Sequence, residues 1–274
     1  MAPPVLSVVI PTYNRRDLLP AAVDSALVWL DRIGGEGEIL IVDDGSTDGT
    51  QAMVAARYAG ELARGRIRFH QRERNGGAAA AKNSGAALAK GDWIVFLDSD
   101  DALIPEAALD VVAALAAAAD APVVFFRCID MASGALIGEP LGGTVTLTLE
   151  THAYRWRYGE CLPAVRPAAA RLYPYVEDMP GYEAISYFRM ERELGAIVLT
   201  PIVARLYRTE GADRVSAASR LNRSIRNRKY AKIMMGEFKR DLSLKVRGRY
   251  FITYLRAQMD YCIARGSAMF GAAR

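Results

Sequence analysis

The chain has 274 residues, of which 51% are hydrophobic and 24% charged, and this usage excludes a disordered chain. Three widely spaced cysteines and two histidines exclude HExxH chemistry and argue against a disulfide framework or structural zinc, so a reducing compartment fits. The net charge of +4 hides an asymmetry: residues 1–200 carry 18 Lys and Arg against 26 Asp and Glu, whereas residues 201–274 carry 17 against 5.

The opening MAPPVLSVVIPTYN lacks the basic leader of a secretory signal. Its apolar run Val5–Ile10 reads as a buried strand. Leu18, Leu19, Ala22, Val23, Ala26 and Leu27 follow at helical spacing, with Asn14 and Asp17 placed to cap the helix. Ile39–Val42 is a second strand, ended by the turn-rich DDGSTDGT, and a helix is expected over Gln51–Arg64. Ile67–Gln71 is a third strand. Asn75-Gly76-Gly77 breaks the chain before an Ala-rich helix from Ala78 to Lys90. Trp93–Leu97 is a fourth strand with acids directly at its end. Pro105 opens a helix to about Ala119, and Val123–Arg127 is a fifth strand. No apolar run reaches membrane-spanning length, since Ala102 to Phe126 is interrupted by Glu106, Asp110 and Asp120.

Beyond Arg127 the pattern changes. Residues 130–149 read as a Gly-rich hairpin or meander, and 150–210 mix short helices and strands. From Ser219 onward the chain reads as helical and basic. The expected organisation is an α/β half over 1–127, a second half of the same domain over 128–210, and a basic helical extension over 211–274.

Strand–helix alternation implies a mostly parallel sheet covered by helices, with ligands at the carboxyl ends of its strands. Asp43-Asp44 and Asp98–Asp101 both fall at such ends. Crowded carboxylates repel one another, and oxygen ligands of this kind suit Mg²⁺ or Mn²⁺. Read alone, DSDD is equally a solvated turn, and DDGS equally an Asx-turn before a helix cap. Lys82 on the Ala-rich helix could reach a phosphate or stand on the surface. Glu177-Asp178 could supply a general base or a helix N-terminal acid pair.

In order and spacing these pieces are far more specific. SVVIPTYNR (7–15), ILIVDDGSTDGT (39–50), NGGAAAAKNSGAALAKGDWIVFLDSDDALIP (75–105) and YVEDMPGYE (175–183) together resemble the family 2 glycosyltransferases. The resemblance implies a GT-A, Rossmann-like central sheet with flanking helices. It implies transfer of a sugar, with inversion, from a nucleotide diphosphate donor, in family tendency a UDP-sugar, to the hydroxyl of a glycan or lipid-linked acceptor. By matching position, Pro11, Thr12 and Tyr13 lie against the nucleobase, and Asp44 binds it. Asp98 is near the ribose, Asp100 ligates Mn²⁺ or Mg²⁺, Asp101 orients the loop, and Asp178 is the catalytic base. Lys82 stands where the family commonly has Arg, so bidentate phosphate recognition is lost. Processive members carry QxxRW after the ED motif; His152–Trp156 has His for Gln and precedes that motif, which points to a non-processive enzyme of polysaccharide or glycoconjugate assembly.

The alternatives are a transferase-like module without turnover and, more remotely, a DxD phosphatase. GxGxxG and GxxxxGK[ST] are both lacking. The basic tail suggests an anionic membrane surface rather than nucleic acid, through residues after about 215. Arg220, Arg223, Arg226, Arg228, Lys229 and Lys232 would supply charge, and Tyr250, Phe251, Tyr254 and Leu255 insertion. Location is expected to be cytoplasmic, peripheral on the membrane's inner face.

Overall fold

The computed structural model describes residues 5–154, 156–210 and 219–271, with side chains as far as 264. Four parallel strands form its first block: β1 (Leu6–Thr12), β2 (Glu38–Asp43), β3 (Ile67–Gln71) and β4 (Trp93–Phe96). β1, β2 and β4 are buried throughout, as interior parallel strands must be, and this explains their unbroken apolar runs. Pro11 is tolerated in β1 because β4 pairs only with Leu6–Val9, so the lost N–H lies beyond that ladder.

The sheet then becomes mixed. Its order is β3-β2-β1-β4-β8-β6-β9-β5, with β7 on β9. Here β5 is Ala102–Leu103, β6 Val123–Asp130, β7 Val145–Leu147, β8 Cys161–Val165 and β9 Ile197–Tyr207. β8 runs antiparallel to both β4 and β6, whereas β9 is parallel to β6 and antiparallel to β5 and β7. β6 therefore crosses the 127/128 boundary expected from sequence, and the 210/211 boundary adjoins residues outside those described.

Helices α1 (Leu19–Arg32), α2 (Thr50–Arg57), α3 (Ala59–Ala63), α4 (Ala78–Leu88), α5 (Ala108–Ala117), α6 (Leu149–Tyr154), α7 (Pro167–Leu172) and α8 (Ala184–Leu194) surround the sheet. Alternate residues of β1 and β4 serve opposite cores. Leu6, Val8, Ile10, Trp93 and Val95 pack with Trp29 and Leu30 of α1, while Val9, Ile94 and Phe96 pack with the alanines of α4. Gly85 makes the second contact possible, since a Cβ there would sit 2.3 Å from Val9 Cγ1.

Three local expectations need correction. The helix over 51–64 is split at Tyr58, whose hydroxyl donates to Asp24 and anchors the break to α1. Pro105 opens a 3₁₀ turn, and α5 begins only at Ala108. Asn14 does not cap α1. It adopts φ +51°, its amide donates to Ser46 Oγ and its side-chain oxygen accepts from Thr47 N, tying the loop after β1 to the loop after β2. Of the hairpin or meander over 130–149, a short hairpin forms: Ile129 and Leu136 pair antiparallel, Asp130 N donates to Ala135 O and Ile137 N to Cys128 O, and β7 follows. His152 and Trp156 belong to an aromatic cluster with Phe125 and Phe188, His152 Nδ1 lying 3.0 Å from Glu191.

Two further helices, α9 (Arg220–Gly236) and α10 (Leu244–Gly271), pack on the body. Met234, Phe238, Leu242, Val246 and Tyr250 bury themselves with Phe188 of α8 and Ala153 of α6.

Candidate active site

Register fixes the site. Thr12 pairs with Asp43 and Val9 with Phe96, so β1, β2 and β4 end on one rim. A cleft of about 770 Å³ opens there. Pro11, Thr12, Tyr13, Asp44, Lys82, Asp98 and Asp100 all line it.

Asp43 and Asp44 divide their work. Asp43 is fully buried and accepts from Ser46 N, Ser46 Oγ and Gln71 Nε2, so it builds the turn. Asp44 is 2% exposed and reaches the cleft wall. Its carboxylate pairs with Arg72 and accepts from Gly76 N at 3.1 Å and Gly77 N at 2.6 Å. Gly77 has φ +87°, which favours glycine at the entry to α4.

α4 points two side chains at the rim. Lys82 Nζ lies 2.9 Å from Asp98 Oδ1. Burial works against the Lys82 charge, but Asp98 and Glu183 more than offset it and hold its pKa above the ordinary lysine value. Asn83 exchanges hydrogen bonds with the Tyr175 backbone and donates to Glu177 Oε1 at 3.1 Å. It therefore fixes the segment before α8.

The acids after β4 are organised by a residue that sequence reasoning missed. Arg205 of β9 is buried, with Nη1 3.2 Å from Asp101 and 3.7 Å from Asp98. Burial raises the Asp98 pKa, but Lys82 and Arg205 outweigh it and the net shift is downward. Asp101 is buried, accepts from Arg208 N at 2.8 Å, and is pushed up to about 7, burial outweighing Arg205. Asp100 faces the cleft, and among the described residues no side chain pairs with its carboxylate.

No group of three or more His, Cys, Asp or Glu among the described residues could hold a metal by itself. Asp100 nevertheless fits a divalent cation of the magnesium type, which takes one or two carboxylates and completes its shell with substrate phosphates and water.

Glu160, Pro180, Gly181, Tyr182, Glu183, Tyr207 and Arg208 also line the cleft, Arg208 next to Asp101. Asp178 is not among the lining residues. Its side chain is 69% exposed and pairs with Lys229 of α9. The carboxylate that segment does present to the cleft is Glu183, at the N-terminus of α8. Arg223 and Arg226 of α9 also line the cleft, Arg226 donating to Pro180 O at 2.8 Å. Neither arginine stands out in sequence from the basic run around it. Glu183 looks like an ordinary helix-entry acid. Arg205 alone left a signal, a charge inside the apolar stretch IVARLY.

Fold and rim together define an α/β protein of the GT-A type. Residues 7–170, more than half of the chain, match the model for Glycosyl transferase family 2, and the chain belongs to that family. Among curated relatives, the succinoglycan biosynthesis protein ExoO of Rhizobium meliloti is 38% identical over 103 residues, covering 38% of this chain and 27% of that protein. The putative teichuronic acid biosynthesis glycosyltransferase TuaG of Bacillus subtilis is 42% identical over 98 residues, 36% of each chain. The chain thus spans about a third of the length of these relatives. S. aureus TarS, solved with UDP-GlcNAc, superposes with a TM-score of 0.69 at 21% identity, over 94% of this chain and 73% of that one. The mannosyltransferase PcManGT of Pyrobaculum calidifontis, solved with GDP-Man and Mn²⁺, gives 0.65 at 17%, over 100% and 76%. Identities this low bear on the fold alone.

Proposed function

We propose that the protein is an inverting, non-processive glycosyltransferase. It moves a sugar from a nucleotide diphosphate donor, UDP-linked by first preference, to a hydroxyl of a glycan or lipid-linked acceptor in polysaccharide or glycoconjugate assembly. The observation that carries this reading is the single rim where the base-side loop, the Lys82–Asp98 pair and the open Asp100 carboxylate meet, with Glu183 lining the same cleft. The relatives named for succinoglycan and teichuronic acid biosynthesis support the assembly role. The neighbours solved with UDP-GlcNAc and GDP-Man support the donor class. Cytoplasmic location is part of the same proposal.

In this reading Pro11, Thr12 and Tyr13 hold the base, Tyr13 by stacking on it. Asp44 braces Gly76 and Gly77 behind that loop. Lys82, Arg223 and Arg226 place positive charge around the diphosphate. A divalent cation, Mn²⁺ or Mg²⁺, held by Asp100 supplies Lewis-acid stabilisation of the leaving diphosphate when bound. The acceptor oxygen attacks the anomeric carbon from the face opposite the diphosphate. The bond from that carbon to the diphosphate oxygen breaks, and the oxygen keeps the electron pair. The hydroxyl proton passes to a carboxylate that lines the cleft.

The family resemblance assigns that base role to Asp178, whereas cleft geometry favours Glu183, because a base must come within hydrogen-bond reach of the proton it takes. Glu183→Gln and Asp178→Asn separate the two. The variant lacking the true base retains UDP binding by calorimetry and loses roughly 10²–10⁴-fold in transfer. Release of UDP from a panel of sugar nucleotides with Mn²⁺ tests the whole reading, and a protein that neither binds nor cleaves any of them rejects it. A second reading, a donor-binding module without turnover, draws on Asp178 lying outside the cleft. Tight UDP binding with no cleavage by the wild type would select it.

A further inference from the structure

The basic run expected to meet a membrane is largely engaged within the molecule. Arg220 pairs with Asp260, Arg226 with Pro180 O and Lys229 with Asp178. Arg228 stacks on Tyr261, Lys232 on Tyr254, and Arg223 lines the cleft. Tyr250, expected to insert, is buried, its hydroxyl donating to Ala153 O.

The outer face of α10 is different. Val246, Tyr250 and Ala257 form its inner side. Leu244, Phe251, Ile252, Leu255 and Met259 are 45–78% exposed. At 3.6 residues per turn these five fall within roughly a third of the circumference, opposite the buried side. Lys245, Arg249 and Arg256 run along one edge of the stripe, and Arg247 lies on the other. Lys245 and Arg249 also rest over the Tyr154 ring while remaining exposed. Asp260 is the sole acid between 244 and 264, and Arg220 neutralises it.

We propose that this face docks on an anionic lipid bilayer, the stripe entering the interface and the basic edge meeting lipid phosphates. An apolar stripe this continuous is unusual on a surface that faces water alone. Apolar centre with cationic edge is the pattern of helices that lie in a membrane interface. A second copy using the same face would bring two rows of like charge together, which disfavours self-association. No helix among the described residues is long and apolar enough to cross a membrane, so the contact proposed is peripheral. The proposal is independent of the glycosyl-transfer reading.

The test is flotation of the full chain with vesicles of phosphatidylcholine alone and of phosphatidylcholine mixed with phosphatidylglycerol. Binding is expected only with the anionic lipid, falling as salt rises. Phe251→Glu with Leu255→Glu replaces two exposed side chains and leaves the core intact. It should weaken vesicle binding about tenfold or more while cleavage of the donor, or binding of UDP, is unchanged. Arg249→Gln with Arg256→Gln should weaken binding less and flatten its salt dependence. Wild-type protein that ignores anionic vesicles at low salt overturns the proposal, as does binding that survives the glutamates. A wild-type dimer in sedimentation that the glutamates dissociate, without vesicle binding, would assign the face to a second copy.

Discussion

The two acidic strand ends look alike in sequence and differ in the folded protein. At the end of β2, every carboxylate is occupied: Asp43 by Ser46 and Gln71, Asp44 by Arg72 and two glycine amides. After β4, Asp98 and Asp101 are held by Lys82 and Arg205, and Asp100 is left facing the cleft. The first cluster uses its charge to shape backbone. The second neutralises two acids from within and keeps one for something brought from outside. Adjacent acids in a sequence therefore carry little information until their partners are known, because each bond accepted inside the protein uses one of a carboxylate's few acceptor sites.

Three substitutions sharpen this contrast. Asp100→Asn should have the largest effect. Donor cleavage falls roughly 10²-fold or more and Mn²⁺-dependent UDP binding weakens, while the denaturation midpoint barely moves. A chelator should reduce the wild type to the same level. Asp44→Asn should act mainly on stability, lowering it by about 1–3 kcal/mol in urea titration as charge-assisted bonds to Arg72 and the amides weaken. Retained metal dependence would mark it as scaffold, and its loss would erase the distinction between the clusters. Ser46→Ala should be smallest, about 1–2 kcal/mol by the same titration with cleavage little changed, since the hydroxyl bond to Asp43 and the bond accepted from Asn14 N are both removed.

The first block was legible because interior parallel strands must be apolar on both faces, and β1, β2 and β4 are. Their acidic ends followed from the rule for such sheets. β8 and β9 were hidden for the opposite reason. Pro163 interrupts one, and Thr200, Pro201 and Arg205 interrupt the other. Pro163 is accepted in β8 because β4 pairs only with Ala164 and Val165. Arg205 is accepted because acids from a loop about a hundred residues earlier meet it, and no local pattern encodes that partner. Likewise Asn14 read as a cap because Ser46 and Thr47 are distant in sequence. The Glu183 and Asp178 positions depend on how α9 packs, which their own segment does not state.

The mixed sheet has a consequence for how the chain folds and can be recombined. Residues 124–127 of β6 lie between β8 and β9, partners that arrive from 161–165 and 197–207. A fragment ending near 127, although it contains most of the sequence motif, would leave β4 as an open edge and β6 without a partner strand, both able to pair with other chains. Such a fragment should aggregate rather than bind nucleotide. Long-range pairing of this kind also slows folding, because the loops that join the partners must close first. The unit that can be exchanged between relatives is thus the whole sheet through Tyr207, not its motif-bearing half.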